Sequence, residues 1–144
     1  PAAAALLEEE AAAGMHRFEF YADFAAKVSA LGEQLVACLR DRKRGGARLA
    51  AYGASAKGST LLNCFGIGRD LIDFVVDRST VKQGLFTPGT HLRIRPTEDL
   101  LTEMPDYVLL LTWNFAGEIL EQQAEYRRRG GRFILPIPVP KIVA

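Results

Sequence analysis

The chain has 144 residues, 49% of them hydrophobic, and 18 Lys and Arg stand against 17 Asp and Glu for a formal charge of +1. That is the size of one ordinary domain with one core, and it leaves no broad charged field to hold nucleic acid or a membrane surface, so a charged ligand has to be caught locally. Two cysteines and two histidines, far apart in the sequence, make no zinc site, and the Ala-rich, acidic start is neither a signal peptide nor a membrane span.

A start at Pro1 within a run of alanines reads as a piece cut from a longer polypeptide, and a cytoplasmic protein is expected. Residues 2 to 13 are strong helix formers that stop at Gly14. From Phe20 onward Phe24, Val28, Leu31, Leu35 and Leu39 fall on one stripe, which predicts a long amphipathic helix ending near Gly45 and Gly46. Residues 1–46 are therefore read as an N-terminal helical segment that packs on a neighbouring domain or on the sheet. Cys38 and Cys64, in apolar helical contexts, are read as reduced core residues.

Short, continuous apolar runs then take over, at Leu49 to Tyr52, Ile72 to Val76, Val108 to Leu111 and Phe133 to Leu135, the pattern of strands covered on both faces. Helical stretches separate them: Ala56 to Phe65, Thr97 to Glu103, and Phe115 to Arg129 with Phe115, Ile119 and Tyr126 on one face. His91 to Arg95 suits an edge strand ended by Pro96. The charges of Arg127 to Arg129 complement a helix C-terminus, and the prolines of the tail make it extended. Strand and helix alternate, so residues 47–144 are predicted to form an α/β, Rossmann-like, mostly parallel sheet with helices on both faces.

The most informative segment is Leu49-Ala-Ala-Tyr-Gly-Ala-Ser-Ala-Lys-Gly-Ser-Thr-Leu-Leu-Asn63, a strand running through a small-residue turn into a helix, as open α/β sheets build anion sites. Gly53, Ala54 and Gly58 let backbone amides approach a ligand, and Ser55 is placed to cap the helix. Lys57 falls in the first helical turn, where a cation opposes the helix dipole by about 0.3 to 1 kcal/mol, so a nearby anion accounts for it better than stability does. A Walker loop needs Lys directly after its second Gly, whereas Lys57 precedes Gly58. The dinucleotide fingerprint lacks its middle glycine, which weakens NAD binding, although Asp77 stands roughly 20 residues on, where Rossmann folds place the ribose-binding acid.

Two further segments lie beyond strand ends. The long loop from Asp77 to His91 carries Arg78 and Lys82, and Thr112-Trp113-Asn114 follows the third main strand, where Asn114 could cap the next helix and Trp113 could pack. No catalytic set emerges, for His16 and His91 have no recognisable nucleophile or carboxylate partner, and the acidic Gly-rich loop by which methyltransferases hold S-adenosylmethionine is absent.

Several stretches in order resemble the C-terminal domain of bacterial S-adenosylmethionine-dependent sugar C-methyltransferases, which act on dTDP-linked keto-deoxy sugars. They are Tyr52 to Asn63, Asp73 to Ser79, Lys82 to Gly84, Thr87 to His91, Pro105 to Phe115 and Gly130 to Ile134. Ser59 stands where that motif usually has Asn or a similar residue. The resemblance implies a zinc-binding domain and a central methyltransferase domain ahead of this one, with S-adenosylmethionine and the catalytic acid and base in the central domain. It implies no cofactor in this segment, which would hold the nucleotide-diphosphate sugar through Ser55, Lys57 and Asn63, with Arg78, Lys82 and His91 as weaker candidates. By this reading the segment alone is inactive. Two other readings compete: a freestanding nucleotide-binding or protein-docking module, and a small NAD-linked oxidoreductase.

Overall fold

The computed structural model describes residues 2–144, with Pro1 outside the described residues. Helix α1 (Ala2–Ala12) gives way at Gly14 to α2 (Phe18–Arg44), whose last turn closes on Gly45. Strand β1 (Leu49–Tyr52) leads into α3 (Ala56–Cys64), then β2 (Val75–Val76), β3 (Ile94–Arg95), α4 (Asp99–Glu103) and β4 (Tyr107–Leu110). A 3₁₀ turn (Trp113–Phe115), α5 (Ala116–Gln122), α6 (Ala124–Arg128), β5 (Arg132–Leu135) and β6 (Lys141–Val143) complete the chain.

The sheet order is β3-β2-β1-β4-β5-β6, parallel throughout except for the last pair. Because side chains alternate across a strand, each strand feeds two cores. Leu49, Ala51, Val75, Leu109 and Ile134 pack with Leu35 and Leu39 of α2 and Leu61 and Leu62 of α3. Ala50, Tyr52, Val76, Val108, Leu110 and Phe133 pack on the other face with Leu100, Ile119 and Tyr126 from α4, α5 and α6. The predicted α/β sheet with helices on both faces and a helical N-terminal segment is thus the observed architecture. Tyr126 anchors the second core: its ring meets Phe133 edge-on, and its hydroxyl donates to the Pro105 carbonyl at 2.6 Å.

The strands expected over Ile72 to Val76 and His91 to Arg95 keep only their last two residues, the helix expected from Thr97 starts at Asp99, and five further departures concern packing and connection. The stripe of α2 is buried only toward its C-terminal half, for Phe24 is 63% exposed; a 27-residue helix is about 40 Å long, whereas a four-residue strand rises only about 13 Å, so the helix overshoots the sheet. Phe115 is not a core residue but 55% exposed, because the 3₁₀ turn that begins the segment rotates it off the face that Ile119 and Tyr126 share. The single helix expected from Phe115 to Arg129 is two, broken at Gln123. Cys64, also expected in the core, is exposed at the last position of α3 beside a solvent-facing turn, while Cys38 is half-buried; both are free. The extended tail returns to the sheet as β6, antiparallel to β5, and Arg127 holds the Ala144 carbonyl from the end of α6.

Candidate functional site

The strand order reverses direction between β1 and β4: from β1 the chain winds outward to β2 and β3, then crosses back to β4 and β5. In open α/β sheets the loops leaving strands at such a point diverge and leave a crevice at the carboxyl ends. Gly53 to Ser55 and Leu111 to Asn114 form its two lips.

The first lip is tightly specified. Gly53 has φ +93°, and a Cβ there would lie 2.5 Å from Cγ2 of Thr112 on the opposite lip, so only glycine suits both the backbone and the approach. Gly58 is equally confined, with a Cβ falling 2.7 Å from that of Leu111. Ser55 caps α3 as expected, its Oγ accepting from the Gly58 amide at 3.1 Å. Among the described residues the Ala56 and Lys57 amides meet no acceptor, which leaves two donors at the positive end of the helix dipole.

Asp77, at the end of β2, does something the sequence does not reveal. One carboxylate oxygen accepts from the Ala54 amide at 2.7 Å and the other from the Ser79 amide at 2.8 Å, so the residue ties the β1 loop to the β2 loop. Lys82 completes the tie by donating to the Ala54 carbonyl at 2.9 Å and lying 3.4 Å from Asp77. Gln83 adds a bond to the Asp77 carbonyl. Both carboxylate oxygens are therefore engaged within the domain.

Lys57 also has partners. Its ammonium sits 4.5 Å from the centroid of the Trp113 ring and donates to the Asn114 side-chain carbonyl. Asn114 thus lies within the 3₁₀ turn and caps nothing, whereas Trp113 both packs against the first core and carries a cation. Arg78 lies 3.6 Å from Glu118 and donates to Gln122, on the α5 side.

The structure therefore brings Gly53, Ala54, Ser55, Lys57, Gly58, Asp77, Arg78, Lys82, Trp113 and Asn114 to one crevice. Two candidates lie apart from it. Asn63, in the last turn of α3, donates to the Pro88 carbonyl at 3.1 Å and steadies the long loop. His91, at φ +52°, lines a hollow with Arg69, Ile72 and Asp73, residues that precede β2, while its carbonyl accepts from Arg69. This places His91 toward the amino ends of the strands, away from Lys57 and Asp77.

On the α5 side the crevice deepens into a cavity of about 290 Å³ lined by Tyr52, Gly53, Asp77, Arg78, Thr112, Phe115, Glu118 and Ile119. Tyr52 and Thr112 each bury a hydroxyl with no hydrogen-bond partner among the described residues. Gln123 approaches the Tyr52 hydroxyl without completing a bond, and burial pushes that hydroxyl's pKa up, so it stays protonated and a donor. Tyr52, Phe115 and Glu118 were not among the site residues expected from the sequence, which placed Tyr52 at the end of the first strand and Phe115 on a core face; the one available signal was a tyrosine at the carboxyl end of an otherwise aliphatic strand. A larger hollow of about 600 Å³ runs along α2, but its polar lining is the ordinary charged face of that helix, Glu33, Arg40, Asp41 and Arg44, and it lies off the carboxyl end of the sheet.

Comparison with known proteins agrees with this architecture. The family described as C-methyltransferase C-terminal domain matches residues 1–138. The C-methyltransferase NovU of Streptomyces niveus is 38% identical over 144 residues, which is 100% of this chain but 34% of that protein, so the chain spans about a third of the relative's length. A match over nearly all of the described fold, with the switch-point loops included, establishes that this chain belongs to the C-methyltransferase C-terminal domain family.

Proposed function

We propose that this chain is the substrate-holding domain of an S-adenosylmethionine-dependent C-methyltransferase that acts on a nucleoside-diphosphate-linked keto-deoxy sugar. The observation that carries the reading is the pair of unengaged amides, Ala56 and Lys57, at the N-terminus of α3 beside the Lys57 ammonium, at the carboxyl end of the sheet. Two fixed donors, a helix dipole and a cation form a seat for a diphosphate. Family membership supplies the methyl-transfer context.

In this reading methylation occurs at a carbon α to a ketone, through an enolate, and needs a base that removes the α proton and a substrate that cannot drift. These residues supply the second requirement. The Asp77 tie makes the β1 loop rigid before the ligand arrives, so little ordering accompanies binding. Catalytic acid, base and S-adenosylmethionine belong to the methyltransferase domain of the same polypeptide, and S-adenosylmethionine supplies the methyl group. Among the described residues no group of three or more His, Cys, Asp and Glu could hold a metal, so the residues present do not fit a zinc ion. The exposed apolar residues of the N-terminal helices, Leu6, Leu7, Phe18, Tyr21 and Phe24, support contact with that second domain. No helix is long and apolar enough to cross a membrane.

Titration calorimetry of the full-length protein with a dTDP-linked keto-deoxy sugar tests the reading. Lys57→Ala weakens binding by roughly 1.5 to 3 kcal/mol, the range for hydrogen bonds that involve a charged group. Unchanged affinity in the variant removes the diphosphate from this loop.

A further inference from the structure

Among the described residues, Lys57 is the cation of the crevice whose partners are neutral. Lys82 lies 3.4 Å from the Asp77 carboxylate and Arg78 lies 3.6 Å from that of Glu118, so each of those charges is answered within the domain. The Lys57 ammonium instead rests 4.5 Å from the centroid of the Trp113 ring and donates to the Asn114 side-chain carbonyl, with no carboxylate of the described residues in ion-pair reach. A flexible side chain is thereby fixed without being neutralised, although it stands in the first turn of α3, where the helix dipole opposes its charge. A carboxylate would hold the ammonium at least as well and would cancel its attraction for an anion. A π face and a carbonyl oxygen hold it and leave the charge standing.

We infer that Trp113 and Asn114 are positioning residues for Lys57, holding its ammonium across the crevice, and that Asn114 adds its own amide N–H groups to the grip on an anion there. The inference rests on the reading of the α3 loop as a diphosphate seat and says how that seat is built. Lys57 comes from the first lip and both its partners from the second, so the contact spans the crevice. Trp113 is itself fixed by packing against the first core, so the platform does not move with the lysine. An ammonium only donates, and it therefore turns the Asn114 oxygen toward itself. The Nδ2 side of the same planar group, which meets no acceptor among the described residues, is left beside the ammonium as a free donor. An anion that meets the Ala56 and Lys57 amides on one lip and the ammonium and the Asn114 amide at the other is held from two sides, in a geometry set before it arrives.

Titration of dTDP into the full-length protein tests this through a double-mutant cycle, because a residue that acts through Lys57 loses its effect once Lys57 is gone. Trp113→Leu, which keeps an apolar side chain but not the π face, weakens dTDP binding about two- to fivefold when Lys57 is present and less than about 1.5-fold in the Lys57→Ala background, and Trp113→Phe recovers at least about half of the loss. Asn114→Asp supplies the counter-ion that the site lacks: the contact with Lys57 and the urea midpoint are kept, while dTDP binding falls about tenfold or more. Equal loss for Trp113→Leu in both backgrounds overturns the assignment, as does Asn114→Asp binding dTDP within about twofold of the wild type. Where Trp113→Leu does not fold, Asn114→Asp, at an exposed position, decides alone. If Lys57→Ala weakens dTDP binding while neither Trp113→Leu nor Asn114→Asp does, the diphosphate seat stands and the positioning role falls. If Lys57→Ala leaves dTDP binding unchanged, both fall together.

Discussion

The two sides of the crevice solve different problems. On the α3 side every charged group has a partner within the domain: Asp77 has two backbone amides and Lys82, and Lys57 has Trp113 and Asn114. On the α5 side two hydroxyls are buried with none. An internally satisfied network is rigid and stable before any ligand arrives, whereas a buried hydroxyl without a partner costs about 1 to 3 kcal/mol of desolvation. The difference teaches that charge alone is a poor guide to where a ligand makes its new bonds. The cations already have partners within the domain, and what remains open on the charged side is the Ala56 and Lys57 amides and the donors that the Lys57 ammonium does not spend on Asn114.

The lip shared by both sides is where that division breaks most easily. Gly53→Val places a branched side chain at φ +93° and against Thr112, which a Cβ alone would approach to 2.5 Å. Backbone strain and overpacking together cost about 2 to 5 kcal/mol, so chemical denaturation of the variant shows a large loss of stability, and ligand binding at the α3 loop fails with it. A variant that keeps its stability would mean that the two lips can separate without cost.

A smaller effect isolates the charged side. Asp77→Ala leaves the Ala54 and Ser79 amides and the Lys82 ammonium without their acceptor. The Asp77 side chain is only 13% exposed, so its bonds are worth about 1.5 to 3 kcal/mol, with Lys82 the lesser share because it is 44% exposed. Denaturation measures that loss, and hydrogen exchange locates it: the Ala54 and Ser79 amides lose protection while β4 and β5 keep theirs. Uniform loss of protection would make Asp77 a determinant of the whole fold instead of a tie between two loops.

Most of the sheet was legible because buried parallel strands announce themselves as uninterrupted apolar runs, and β1 was read to the residue. The Ser55 cap was legible for a similar reason, since a serine before a helix has few other uses. What could not be read depended on contacts made across long separations. Nothing local says that Asp77 spends both oxygens on amides, one of them 23 residues away, or that Lys57 rests on a tryptophan beyond the next crossover. Periodicity likewise placed Phe115 on the core face because it assumes one helix; three residues of 3₁₀ geometry were enough to turn the ring outward. The candidate site was therefore found at its charged lip and missed at its apolar wall.

The smallest predicted change in stability is the most discriminating. In the absence of ligand Lys57→Ala removes a cation that opposes the dipole of α3, a gain of about 0.3 to 1 kcal/mol, and puts the best helix former in the first turn. It also removes the contact with Trp113, worth about 0.5 to 1 kcal/mol where the pair is partly solvated, and the bond to Asn114. These terms oppose one another at similar size, so the unfolding free energy should change by less than about 1 kcal/mol in either direction, in contrast to Gly53→Val and Asp77→Ala. If Lys57 serves only to brace Trp113 and the second lip, its removal destabilises the fold and any loss of affinity follows from that loss. If it serves the diphosphate, affinity falls while stability holds. Measuring both quantities on the same variant separates the two roles, because a bracing residue cannot weaken binding tenfold while the lip it braces keeps its stability.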